Sequence, residues 1–247
     1  MKPVDITAVL FDIDGTLLDM RGAGRRSFVR ALERVFGWQD DIRYVNFAGN
    51  TDLNVLEQVA AAHGVVLSAE DRQRFFAQLP RELEANAAGA QLVLYPGVRA
   101  LLEHLAADPA VMLALVTGNV AACARIKLRQ FGLQHHFLLG AYGDDHADRA
   151  EIARLALGRV QAGLLPGQTL RACFLIGDTP LDVAAARHIG AVSIAVATGK
   201  FDVAALRAAG ADHVLADLSD TAAVLRILGM PASRRDTAAR RSGPPSG

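Results

Sequence analysis

The chain has 247 residues, 51% of them hydrophobic, and its 26 basic residues balance 26 acidic ones. That size supports a substantial core in one large domain, or in a main domain with a modest insertion, while zero net charge gives no reason to expect nucleic acid or an anionic membrane as partner. Two cysteines, Cys123 and Cys173, do not make a disulfide framework or a metal cluster, and they fit a reducing cytoplasm. The opening "MKPVDITAVLFD" is interrupted by Pro3 and Asp5 and lacks a signal-peptide pattern. No apolar run reaches the roughly 18 residues of a membrane helix, so a soluble, cytoplasmic protein is expected.

In chain order, the run "ITAVLF" at 6–11 predicts a first strand, ending in the acidic stretch "DIDGT". Residues 19–94 then read as helices, with apolar positions at helical spacing in 24–37, 52–64 and 69–89. This interval is far longer than the dozen or so residues a crossover needs. It is expected to be an inserted helical cap, returning to the core at "YPGV", 95–98. Strands are predicted at "VMLALV" (111–116), "FLLGAY" (137–142), "CFLIG" (173–177) and "VSIAVA" (192–197), with helices between them at 120–132, 149–160 and 181–190. Alternation of this kind predicts an α/β fold: a doubly wound, Rossmann-like parallel sheet, its core formed by 1–18 and 95–230. The last segment, 231–247, is rich in Pro, Gly, Ser and Arg and is expected to be a disordered tail.

Ligands of an open parallel sheet bind beyond the carboxyl ends of its strands, and the polar clusters lie there. Asp12, Asp14 and Thr16 follow the first strand, Thr117, Gly118 and Asn119 follow "VMLALV", and Asp178 and Asp182 follow "CFLI". If these strands are neighbours, four carboxylates meet, and their repulsion calls for a hard divalent cation. Few carboxylates supplemented by water and phosphate suit Mg²⁺. Zinc is not expected, because no His or Cys stands at ligand spacing to the acids. Thr117 and Gly118 precede a helix, a favourable anion site. A cation and an anion cradle in one pocket point to phosphate chemistry.

These motifs, DxDGT at 12–16, Thr117–Asn119 and GDTxxD at 177–182, occur in this order with a helical insertion after the first. The sequence thereby resembles the haloacid dehalogenase-like hydrolases, in particular the phosphoglycolate phosphatase-like members. The resemblance implies Asp12 as nucleophile, forming an aspartyl-phosphate, and Asp14 as general acid and then base. It implies a Mg²⁺ site made of the Asp12 carboxylate, the Asp14 backbone carbonyl and Asp178, with Asp182 supporting the site without coordinating. Asp14 argues for phosphoryl transfer, since carbon–halogen-cleaving relatives carry a non-acidic residue there. The family's third motif supplies a basic residue, usually Lys, but "GAYGDDHADRAEIARLAL" contains no lysine. Arg149 is the expected occupant, Lys200 in "ATGKF" the substitute, and Arg154 and Arg159 are expected to be solvated.

The expected activity is Mg²⁺-dependent hydrolysis of a small phosphorylated metabolite. The alternatives are a phosphomutase acting on a sugar phosphate, or a non-catalytic phospho-receiver. Gly49, Asn50 and Thr51 in "FAGNTD" are candidate substrate contacts from the cap, although a helix cap at Thr51 or Asp52 explains the same letters. Thr16, Gly118 and Asn119 are candidate substrate contacts from the core. Gly22-x-Gly24 lacks the third glycine of a dinucleotide fingerprint and is read as a hinge, with Arg25 or Arg26 facing substrate. His146 is read as part of a solvated loop. The oligomeric state is not legible.

Overall fold

Strand β1 (Val4–Phe11) turns Ala8 and Leu10 to one face and Val9 and Phe11 to the other, all fully buried, the pattern of a central parallel strand covered on both sides. The chain is described by a computed structural model over residues 3–231; the tail expected at 231–247 lies, beyond Pro231, outside the described residues. After β1 come β2 (Leu18–Asp19), α1 (Ala23–Phe36), α2 (Asp52–Ala62), α3 (Ala69–Ala87) and β3 (Val93–Leu94). Then follow α4 (Val98–Ala106), β4 (Val111–Val116), α5 (Ala121–Arg129), β5 (Leu139–Ala141) and α6 (Arg149–Ala162). The chain continues with β6 (Gln168–Gly177), α7 (Pro180–His188), β7 (Val192–Val196), α8 (Val203–Ala208), β8 (His213–Leu215) and α9 (Thr221–Ile227).

The main sheet is parallel with strand order β5-β4-β1-β6-β7-β8. This is the doubly wound fold expected from the sequence. The order reverses at β1: the chain first builds outward through β4 and β5, then returns to β6 on β1's other edge. The crevice beyond β1, β4 and β6 is therefore the switch point at which such sheets bind ligands. One face is lined by small residues, Ala8, Ala114, Ala141, Ala153, Ala156 and Ala185, so α6 and α7 pack close to the strands. That close approach lets the first turn of α6 reach the strand ends.

Residues 20–92 depart from the sheet and return beside their own exit. β2 and β3 pair antiparallel, Leu18 opposite Leu94, and the Tyr95 amide donates to the Leu17 carbonyl at 3.0 Å. Between these crossings α1 packs on α3, with the Phe28 ring 4.8 Å from Phe75 and 5.4 Å from Phe47. Ser68 and Asp71 close a capping box on α3. The short ladders β2, β3 and β8 had no counterpart among the expected elements, because two or three residues carry no readable periodicity, and the helices α4, α8 and α9 were not among them either. No helix among the described residues is long and apolar enough to cross a membrane.

Candidate active site

Asp12 is the first residue beyond β1, and its amide still donates to the Ile176 carbonyl of β6 at 2.9 Å. The strand ladder therefore fixes the backbone that carries its carboxylate. The chain then turns through Gly15 at φ 84°, a conformation costly for any residue with a Cβ. A Cβ on Gly15 would also lie 2.3 Å from Asp178 Oδ2, and one on Gly199 would lie 1.7 Å from the same atom. Both glycines are thus required for the Asp178 carboxylate to stand beside Asp12.

Arg149, the first residue of α6, is buried and reaches across the strand ends. Its Nη2 lies 2.7 Å from Asp12 Oδ1 and 2.5 Å from Asp182 Oδ1, and its Nε donates to the same Asp182 oxygen at 2.8 Å. Asp182 is fully engaged, because its other oxygen accepts from Thr179 N at 3.0 Å and Thr179 Oγ1 at 2.7 Å, closing the capping box of α7. It orients Arg149 and has no oxygen left for a ligand. Lys200, the alternative to Arg149, is exposed on the rim, 3.5 Å from Asn46 Oδ1.

One carboxylate oxygen from each of Asp12, Asp178 and Asp182 lies within 4.8 Å of the other two, and Arg149 is the cation between Asp12 and Asp182. Burial pushes the Asp12 carboxyl up to about 7 against the pull of Arg149. Burial, reinforced by Asp12 and Asp182, pushes Asp178 up to about 9. Among the described residues, Asp178 accepts one hydrogen bond, from Thr16 Oγ1 at 3.3 Å. Asp12 thus has Arg149, itself shared with Asp182, and Asp178 has one weak donor; two such buried carboxylates form a pair that a divalent ion would satisfy, and hard oxygen donors suit such an ion. The residues fit the group.

Asp14 is held separately. Its Oδ2 accepts from Asn119 Nδ2 at 2.7 Å and from Lys127 Nζ at 2.6 Å, while Lys127 also donates to Asn119 Oδ1 at 2.5 Å. Asn119 Nδ2 further contacts Thr117 Oγ1 at 2.7 Å. Burial alone would lower the Lys127 pKa, but Asp14 and Asp52 hold it above its ordinary value, so it stays a cation. Sequence reasoning missed Lys127. Its signal was its place four residues after Cys123, both on the buried side of α5.

These groups line one cavity of about 460 Å³ between the strand ends and the helical segment. Asp12, Asp14, Thr117, Gly118, Asn119, Arg149 and Asp178 all reach it from the sheet side, and Gly49 and Asn50 reach it from the helical side. Two expected contacts do not. Thr16 is buried behind Asp178, to which it donates, and Thr51 caps α2 while its hydroxyl donates to the Ala147 carbonyl at 2.9 Å. The loop carrying Thr51 is a tie between helical segment and sheet: Asp52 N donates to Gly118 O at 2.7 Å, and Asp52 Oδ2 accepts from Val120 N at 2.9 Å. Gly118 permits this, since a Cβ there would fall 2.0 Å from the Asn50 carbonyl. Arg25 lines the cavity but donates to the Ile42 and Val45 carbonyls and stacks on Phe47, whereas Arg26 bonds the Arg21 carbonyl at the surface. Gly22 is the left-handed N-cap of α1, and exposed His146 accepts from the Asp148 amide.

The family model for haloacid dehalogenase-like hydrolases matches residues 9–196, most of the chain, including Asp12, Asp14, Thr117, Gly118, Asn119, Lys127, Arg149 and Asp178. The chain is a haloacid dehalogenase-like hydrolase. A phosphoglycolate phosphatase of Chromobacterium violaceum is 31% identical over 223 residues, covering 87% of the chain and 96% of that protein. The crystal structure of a hydrolase from Pseudomonas syringae superposes with a TM-score of 0.67 at 22% identity, covering 90% of this hydrolase and 98% of that chain. CbbY from Rhodobacter sphaeroides, solved in complex with phosphate, gives 0.65 at 21% identity over 87% of this chain and 96% of its own. The two structures establish the shared fold.

Proposed function

We propose that the chain is a Mg²⁺-dependent phosphatase of small phosphomonoesters working through an aspartyl-phosphate on Asp12. The observation that carries this reading is the meeting of Asp12, Asp178 and Arg149 where β1 and β6 end, with Asp14 poised across the same cavity. The likeness to a phosphoglycolate phosphatase supports it. Asp12, the Asp14 carbonyl and Asp178 would hold the ion, which when bound neutralises phosphoryl oxygens and suppresses the repulsion between the two carboxylates.

An Asp12 oxygen attacks phosphorus, and the phosphorus–oxygen bond to the alcohol breaks with its electron pair staying on the alcohol oxygen. Asp14 protonates that oxygen. Asp14, now a carboxylate, takes a proton from water as the water oxygen attacks phosphorus, which releases inorganic phosphate and restores Asp12. Arg149 holds Asp12 in place and faces the developing phosphoryl charge. Lys127 and Asn119 fix the Asp14 carboxylate. The segment between β2 and β3 acts as the cap, joined to the sheet through Asp52, and shields the phosphoenzyme from stray water.

Hydrolysis of a phosphate monoester with Mg²⁺, lost on adding EDTA and restored by excess Mg²⁺, tests the reading; turnover indifferent to EDTA would sink it. Asp178→Ala is expected to raise the Mg²⁺ concentration for half-maximal rate by at least about 10- to 100-fold, the loss typical of disturbing a metal's surroundings. An unchanged metal titration would remove Asp178 from the ligand set.

Lys127→Met is expected to slow turnover of an alkyl phosphate about 10- to 100-fold, a part of the roughly 10²- to 10⁴-fold that general acid–base catalysis supplies, because Asp14 itself is retained. The loss should be much smaller for p-nitrophenyl phosphate, whose leaving group departs without a proton. Equal losses on both substrates would show that Lys127 does not act through Asp14.

A further inference from the structure

We propose that the cavity selects phosphomonoesters whose alcohol is uncharged and apolar, such as a medium-chain alkyl alcohol, over those bearing a carboxylate, such as 2-phosphoglycolate. The inference rests on the phosphatase reading above. The cavity, about 460 Å³, falls among those that hold whole small-molecule ligands, so a phosphoryl group with a two-carbon acid leaves much of it unfilled. Away from Asp12, its apolar lining is the partly exposed Phe47 with the edges of Met20, Phe28, Val55, Leu79 and Leu83, each at most 4% exposed and drawn from the three helices of the segment between β2 and β3 and the loops beside them.

A carboxylate on the leaving group would need a cation there. Four cations line the cavity, and the three inside it have partners of their own. Arg149 is shared by Asp12 and Asp182, and Lys127 by Asp14 and Asn119. Arg25 is spent on two backbone carbonyls and the Phe47 ring. Lys200 stands on the exposed rim near Asn46, where water screens it. Asp52 adds negative charge to the lining, and Asp19, paired with Arg21 at 3.4 Å, adds no cation. An anionic alcohol would thus be buried without a counterion and close to like charge, an expensive placement. An alkyl chain meets neither cost and gains from leaving water.

The test is a series of substrates on the intact protein with Mg²⁺: ethyl, butyl and hexyl phosphate against 2-phosphoglycolate, in parallel with calorimetric binding of the matching alkylphosphonates, which lack the scissile ester. Between ethyl and hexyl phosphate, kcat/KM is expected to climb by up to about fourfold per methylene, equivalent to about 0.8 kcal/mol each. Hexyl phosphate should exceed 2-phosphoglycolate by more than tenfold. Leu83→Ala should reduce the advantage of hexyl over ethyl phosphate by roughly tenfold, as part of the apolar wall is withdrawn. A rate independent of chain length, or a preference for 2-phosphoglycolate, would overturn the proposal while leaving the phosphatase reading intact. If no ester is hydrolysed but phosphonates bind more tightly with length, the phosphatase reading falls and the apolar subsite stands. Neither turnover nor length-dependent binding would remove both.

Discussion

Asp12→Asn is expected to lower turnover by about 10⁴-fold or more, the scale of losing a nucleophile when only binding and charge stabilisation are left. The amide keeps the shape of the carboxyl but cannot accept a phosphoryl group and release it to water. Stability should not suffer. Asp12 is buried, and its pKa is raised to about 7, so its ionised form is disfavoured by the fold. Its stabilising share is present below the unfolded carboxylate range and is lost as pH rises towards 7. A neutral Asn escapes that loss, and Arg149 retains Asp182. The metal-free melting temperature of Asp12→Asn at pH 8 should therefore not fall below that of the parent. Retained turnover would take Asp12 out of the nucleophile's role, and a lowered melting temperature would show that its ion pair outweighs its burial.

Arg149→Ala is expected to damage both rate and fold. The rate should drop by about 10²- to 10³-fold, as for loss of one preorganised donor to transition-state charge. Removing one partner from a buried ionic cluster costs about 3–5 kcal/mol, and here Asp12 and Asp182 are left without their cation. Arg149→Lys should regain part of the rate, because charge returns to Asp12. It should regain less of the stability, because an ammonium cannot reproduce the Nε and Nη2 contacts that seat the guanidinium on Asp182. Rates measured well below each variant's melting temperature separate the two effects. Near-parental activity in Arg149→Ala would assign phosphoryl charge stabilisation to another group.

The sheet and the residues at its strand ends were legible because their signals are local. Asp12, Asp14 and Asp178 follow apolar runs that can only be buried strands, and Arg149 could be singled out by position although its type departs from the usual lysine. Lys127 was not legible in the same way. It sits among Arg125 and Arg129 in a helix whose charges read as a solvated face, and its partner Asp14 lies 113 residues away. Thr16 illustrates the opposite case, and Thr51 takes the helix-cap role that its letters also allowed. Hydroxyls near a site read as substrate contacts, but one orients Asp178 and the other ties α2 to the loop before α6. The apolar wall of the cavity was invisible for a third reason. Phe28, Val55 and Leu83 face it only because α1, α2 and α3 pack as they do, and apolar residues at helical spacing look alike whether they fill a core or line a cavity.

Parallel pairing to β4 and β6 also sets a timetable for synthesis. β1 leaves the ribosome first, but its two bonded neighbours begin at Val111 and Gln168. At about 5–20 residues per second, the wait for the second of them is roughly ten to thirty seconds. The segment from α1 to α3 needs no such delay: Phe28 and Phe75 come together from helices already translated, through contacts of modest sequence separation. A nascent chain can therefore hold a closed helical unit while the apolar run from Ile6 to Phe11 has no partner on either edge. Made first, the strand that leads into Asp12 waits for both its neighbours, so the site cannot come into being before β6 emerges.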